Sequence, residues 1–339
     1  MEHMQDHDTL KQSTPPQEHH EFGSGPGSVS RDVFVGPNGM RAGWRLLIFL
    51  AIVFVLFFVL GLVLHFVGVA RGNRAMALSM LMPAGLGLSE LAILLVTCVA
   101  ALIMARIEHR RFREYGLPLT RALGKDFWRG TLLGFGSISG TLLAMFCFHG
   151  FRITGFAIHG TTIVSATAAW SGTFLIVGLA EEFAFRGYPL FTLTTGIGFW
   201  PAAFVVAGLF ALAHAGNPGE TPFGLFSVAC FSLLFCLFLR RTGDLWLAVG
   251  FHAGWDWGQT FLYGVPDSGI PPYHGLLNSN FHGSKWLTGG TVGPEASVIT
   301  PITLAIVAIL FARACRENRY RAECALPVRG PETVTNPAA

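Results

Sequence analysis

An all-helical fold crossing a membrane several times is the class this sequence predicts, and three observations predict it. The 339 residues are 52% apolar and 13% charged, where an ordinary soluble domain carries about 25% charged residues. Uncharged apolar runs recur along the chain, the first reaching from Leu46 to Ala70, and roughly 20 such residues cross a bilayer. Thirty phenylalanines and 41 glycines supply bulk for lipid and small faces for close helix contacts. A net charge of +3 is too small to point to nucleic acid, and no nucleotide or organic cofactor is expected. Cys98, Cys147, Cys230, Cys236, Cys315 and Cys324 form no C-x-x-C pair, so neither a thiolate zinc site nor a disulfide framework is indicated.

Residues 1–40 are rich in His, Gln, Ser, Pro and Gly without apolar periodicity, and read as a disordered tail. No signal peptide is expected, because the first apolar run begins after Trp44 and exceeds the 7 to 15 residues such peptides carry. The first span covers about 45–69, with His65 at its interfacial end. A second, at about 84–105, is introduced by Pro83 and carries Glu90. It ends in a loop where Arg106, Arg110, Arg111, Arg113, Arg121, Lys125 and Arg129 gather, which marks the cytoplasmic side.

Six further apolar segments lie at about 130–150, 166–190, 196–215, 222–239, 244–264 and 297–313, giving about eight spans. Alternation from the basic loop places Arg240, Arg241, Arg313, Arg316, Arg319 and Arg321 on the cytoplasmic side with both termini. The proline- and glycine-broken loop 265–296 falls outside. A plasma (inner) membrane location is expected, with a domain at 41–315 and a basic, flexible tail at 316–339. No internal repeat is visible.

Three stretches carry ionisable residues where lipid should be. Leu179-Ala-Glu-Glu-Phe-Ala-Phe-Arg-Gly-Tyr188 holds Glu181, Glu182 and Arg186, each costing at least about 2.5 to 3.5 kcal/mol at the bilayer centre. Glu182 and Arg186 are one turn apart and can pair, which leaves Glu181 over. Phe210 and His214 are likewise spaced i, i+4, as are His252 and Asp256, so each pair shares a helix face. Taken singly, each has a bland alternative. A membrane histidine more often links helices than binds a ligand, the reading given to His149 and His159, and a paired Glu182 is a poor base. Together, two imidazoles and two or three carboxylates from three helices form a pocket that could activate water. A carboxylate base aided by histidines would do it, as would a divalent metal held by two histidines and an acid.

Such groups also build proton relays, so a transporter or proton-coupled channel competes, although no inverted repeat or paired broken helices appear. A binding or immunity protein using the cavity without turnover is a third class. Depth poses a constraint. At about 1.5 Å per residue, His214 lies roughly 24 Å from the cytoplasmic start of its span and His252 about 12 Å from its own. Tilt, or a fifth span that starts deeper, must reconcile the two.

The ordered motifs E-E-x-x-x-R, F-x-x-x-H and H-x-x-x-D occur here as Glu181-Glu182-Phe-Ala-Phe-Arg186, Phe210-Ala-Leu-Ala-His214 and His252-Ala-Gly-Trp-Asp256. In this the sequence resembles the CAAX prenyl protease 2-like intramembrane proteases, the CPBP or Abi family. Weaker likenesses at Met40–Arg45, Arg111–Pro118 and Leu287–Ser297 extend the resemblance over about 270 residues. The resemblance implies a catalytic cavity opening toward the cytoplasm and cleavage of membrane-associated peptides or proteins, in eukaryotes after a prenylated cysteine. Carried over, it makes Glu181, Glu182, His214, His252 and Asp256 catalytic candidates, with Arg186 and Phe210 in support. A metal, zinc by preference, would take His214, His252, Glu181 and Asp256. Asp256 departs from the asparagine of the prenyl-protein enzymes and adds one potential negative charge.

Overall fold

The structure, a computed structural model, describes residues 35–36, 39–66, 82–273 and 275–320. Of the tail expected at 1–40 as disordered, Val35–Gly36 and Gly39–Met40 pair as short antiparallel strands; the rest of it and most of 316–339 lie outside the described residues, as does Cys324. Among the described residues, ten helices carry the fold: α1 (Ala42–Phe66), α2 (Pro83–Ile107), α3 (Lys125–Cys147), α4 (Thr161–Arg186), α5 (Tyr188–Ile197), α6 (Phe199–His214), α7 (Pro222–Thr242), α8 (Trp246–Asp256), α9 (Lys285–Thr288) and α10 (Ile299–Ala314). A π-helical turn, Trp257–Leu262, follows α8. Strands β1 (Phe151–Phe156) and β2 (Leu277–Phe281) pair antiparallel.

Every one of the eight expected apolar segments contains a helix. Among the described residues, five helical stretches are long and apolar enough to cross a membrane, namely α1, α2, α3, the run Thr161–Ile197 and α7. α6 and α10, with 16 residues each, are shorter, and the expected span at 244–264 divides into α8 and the π turn.

The fourth span does not stop where the sequence pattern placed its end. Gly187 interrupts the helix with φ −75° and ψ −116°, yet its N–H donates to the Phe183 carbonyl and its own carbonyl accepts from Phe191 N. The hydrogen-bonded run therefore continues into α5. Glu181 then lies 16 residues from Ile197, at most about 24 Å at helical rise.

The depth of His252 has a different origin from those anticipated: α8 begins deep. Its preceding residues Asp244 and Leu245 are buried, Leu245 N donates to the Gly116 carbonyl, and the Trp246 indole donates to the Pro118 carbonyl. The loop after α2 thus roofs the start of α8. Arg319 N and Tyr320 N both donate to the Arg240 carbonyl, so the first residues of the expected flexible tail fold back onto the end of α7.

Glycines allow α8 to be gripped on two sides. A Cβ on Gly130 or Gly134 of α3 would stand 2.1 or 2.0 Å from the carbonyl oxygens of Leu247 and Phe251. The reverse holds for Gly250 and Gly254 of α8 against Phe127 and Thr131. These two Gly-x-x-x-Gly faces bring backbone onto backbone, the small-residue contact used between membrane helices. On the opposite side, Gly178 of α4 would meet the Val249 carbonyl at 2.9 Å. Glu182 is one turn beyond Gly178, so this close approach carries α8 and His252 to the acidic pair.

Candidate active site

Glu181 and Glu182 sit near the end of α4 on different sides of it. Glu182 is wholly buried, and its Oε1 lies 3.2 Å from Arg186 Nη1 and 3.1 Å from His252 Nδ1. Glu181 is partly open, with 22% of its side chain exposed, and its Oε2 is 3.6 Å from His252 Nε2. That oxygen accepts no hydrogen bond from a protein group. The expected split between a paired and a spare carboxylate is therefore how the two residues stand, with His252 as an additional partner.

The His252 ring spans three acids, because Asp256 Oδ2 lies 3.5 Å from the same Nε2. Phe235 stacks on the ring at 5.3 Å and fixes its plane. With Glu182 at Nδ1, the Nε2 edge is directed toward Glu181 and Asp256. A carboxylate that orients an imidazole through its remote nitrogen sets which edge the ring offers to a reactant.

Arg186 is fully buried. Besides Glu182 it has aromatic faces around it, its guanidinium carbon lying 4.1 Å from the Phe210 centroid and 5.4 Å from that of Phe235. Such cation–π contacts strengthen when desolvated. Phe210 in turn packs at 4.6 Å from His214. The supporting residue of the second motif thus touches the arginine of the first, and His214 hangs from the same ring. His214 Nδ1 is 2.9 Å from the Phe210 carbonyl. Donation there leaves Nε2 as the free edge.

One cavity of about 590 Å3 takes in Glu181, His214, His252 and Asp256, so the structure brings the open members of the expected set to a common space. Its walls are apolar, with Phe49 and Val53 from α1, Ile93 from α2, Trp170 and Phe174 from α4 and Leu209 from α6. Glu182 and Arg186 stand behind the wall.

Three acids in the cavity fell outside the residues picked from sequence: Glu90, Asp267 and Glu295. Asp267 and Glu295 belong to the loop expected outside, where acidic residues are ordinary and no periodicity marks them. Asp267 accepts from Thr260 Oγ1 at 2.9 Å, and Gln259 donates to the Pro266 carbonyl at 2.7 Å. Glu295 Oε2 accepts from both Ser268 N and Oγ, at 3.0 and 2.7 Å. The π turn presents Gln259 and Thr260 to this loop, a local widening often found at functional sites. Burial, followed by repulsion from Asp267, pushes the Glu295 carboxyl up to about 8. Burial, then Asp256, raises Asp267 well above the carboxylate range.

Among the described residues, the one group of three metal-capable side chains with ligand atoms within 4.8 Å of one another is Asp256, Asp267 and Glu295. His214, His252, Glu181 and Asp256 do not gather that closely. An all-oxygen trio suits a hard cation better than zinc, whose protein sites combine carboxylate oxygen with histidine nitrogen or use thiolate. As placed, the expected donors do not form a zinc centre.

These features define a class: a multi-pass helical membrane protein with carboxylates and imidazoles converging on an internal cavity. Residues 163–258 match the family described as Type II CAAX prenyl endopeptidase Rce1-like. That segment runs from early α4 to just past Asp256 and holds all three motifs. No curated protein matches the chain.

Proposed function

We propose that this protein is an intramembrane endopeptidase of the CAAX-processing type, cutting membrane-associated peptides or proteins with a glutamate-activated water. The observation that carries the reading is the Glu181 Oε2 atom, buried without a protein donor 3.6 Å from His252 Nε2. A base of this kind needs a lone pair free for a water proton and a neighbour that holds charge nearby.

Glu181 takes a proton from water as the water oxygen attacks the scissile carbonyl. His214, with Nδ1 turned to its own helix, offers Nε2 as the second contact for that water. His252 donates from Nε2 to the carbonyl oxygen as negative charge builds there, and Glu182 supports the imidazolium from the opposite nitrogen. Preorganised donors of this sort act more strongly in a water-poor site than in bulk water. Asp256 steadies the same edge of His252 and takes part as a hydrogen-bonding group. Apolar walls from α1, α2 and α4 give a lipid-bearing or membrane-inserted substrate a matching surface, and the Rce1-like family match favours a CAAX-type cargo.

The test is purified wild-type protein in proteoliposomes with a farnesylated, quenched-fluorescence CAAX peptide, products being read by mass spectrometry. A single cut on the carboxyl side of the prenylated cysteine is expected. An intact peptide, with none of a panel of membrane-tethered reporters cut, would overturn the reading.

A further inference from the structure

We propose that Glu90 is a further catalytic residue, a second carboxyl that works with Glu181 on the reacting amide; this rests on the endopeptidase reading above. Glu90 stands within α2, a helix long and apolar enough to cross the membrane. It lines the same cavity as Glu181, His214, His252 and Asp256. Ionisable groups held at such depth are costly, and they mark ion, proton or substrate paths.

The register of α2 on α4 explains how it reaches the site. Thr173 Oγ1 donates to the Pro83 carbonyl at 2.8 Å, and a Cβ on Gly87 would lie 3.3 Å from that same hydroxyl. Glu90 follows Gly87 by three residues and Glu181 follows Thr173 by eight; both line the one cavity, and Glu90 lies within electrostatic reach of both Glu181 and His252.

Both acids have an orphaned oxygen. Glu90 Oε2 and Glu181 Oε2 are each buried and accept no hydrogen bond from a protein group. Two buried acceptors without donors, facing one cavity, are costly unless a water, a proton or a substrate N–H completes them. A carboxylate kept only for structure would have a lysine, an arginine or a hydroxyl at its head. Among the described residues, the cavity lining contains no lysine or arginine.

Glu90 begins protonated and Glu181 ionised. The water oxygen forms a bond to the scissile carbon while its proton passes to Glu181. As the carbon–nitrogen bond breaks, the Glu90 proton goes to the departing nitrogen, releasing a neutral amine and leaving Glu90 ionised. The proton on Glu181 then moves to Glu90 and restores the starting state, with one water consumed and one amide hydrolysed.

Glu90→Gln keeps the size and the hydrogen bonding of the side chain and removes its transferable proton. Measured on the farnesylated reporter in proteoliposomes, kcat should fall about 100-fold or more, with KM within about twofold of wild type and thermal melting in detergent unchanged or raised. A folded Glu90→Gln with kcat within about threefold of wild type overturns the proposal. Should that variant not fold, Glu90→Asp decides: a stable Glu90→Asp that keeps measurable turnover, while equally stable Glu90→Ala has none, supports the role. Equal turnover of the Asp and Ala variants overturns it. Glu181→Gln is run alongside. If Glu181→Gln is inactive and Glu90→Gln is fully active, the role of Glu90 alone fails. A wild-type protein that leaves the reporter intact overturns the endopeptidase reading, an active Glu181→Gln overturns Glu181 as the base, and the role of Glu90 falls with either.

Discussion

The guanidinium of Arg186 lies 4.1 Å from the centre of the Phe210 ring, joining the first motif to the second across two helices. Phe210 is buried and also packs against Phe185 and His214, at 5.0 and 4.6 Å. Phe210→Ala removes the ring from all three. It is expected to cost about 3 to 5 kcal/mol, the range for a buried phenylalanine. The measurement is thermal unfolding in detergent. Phe210→Tyr with wild-type stability and Phe210→Ala with no loss would together show that the ring supports nothing.

Glu182 holds Arg186 on one side and His252 on the other. Glu182→Gln leaves a buried arginine without its counter-charge and should lower folded yield by an amount on the order of 3 to 5 kcal/mol. The double variant Glu182→Gln, Arg186→Met removes both charges. It should regain much of the yield while staying inactive, because His252 has lost its orienting carboxylate. Recovery of turnover in the double variant would contradict this role.

Helix α8 is placed by backbone contact, so glycine substitutions on α3 should divide sharply by position. A side chain on Gly134 would strike the Phe251 carbonyl, whereas one on Gly136 meets nothing within 4 Å. Gly134→Val is expected to abolish the folded monomer seen by size-exclusion chromatography. Gly136→Val should behave as wild type. Equal behaviour of the two would remove the close α3–α8 contact as the means of holding His252 and Asp256.

Orientation follows from the basic loop after α2 and from Arg240 and Arg241 at the end of α7. A reporter fused after Arg316 should be cytoplasmic, and one inserted at Ser279 of β2 should face outward. Alkaline phosphatase and fluorescent-protein fusions read the two sides. The reverse pattern would turn the cavity to the other face.

Much of the candidate site was legible because charge in an apolar run stands out. Glu181, Glu182, Arg186, His214, His252 and Asp256 all sit in such runs, and the i, i+4 spacings of Glu182 with Arg186 and His252 with Asp256 are contacts in the structure. What sequence did not disclose was geometry between helices. Phe210 was read against His214 on its own helix, and its approach to Arg186 depends on how α4 and α6 cross. Glu90 carried the right signal, a lone acid in a span, but nothing in the chain order places it in the same cavity as Glu181. Asp267 and Glu295 lie in a loop where acids are unremarkable, and only the folding of that loop onto the π turn makes them part of the cavity. Depth was misleading for a similar reason. Counting from span ends supposes that each helix starts at the membrane surface, whereas α8 starts beneath a roof of loop residues around Gly116 and Pro118.

The most direct measurement of the central claim is cleavage of the farnesylated reporter by Glu181→Gln in proteoliposomes, with protein amount and melting temperature matched to wild type. The substitution keeps the shape of the side chain and removes the base, so turnover should fall at least about 100-fold while insertion and folding stay normal. Turnover equal to wild type would contradict a mechanism in which Glu181 activates the water.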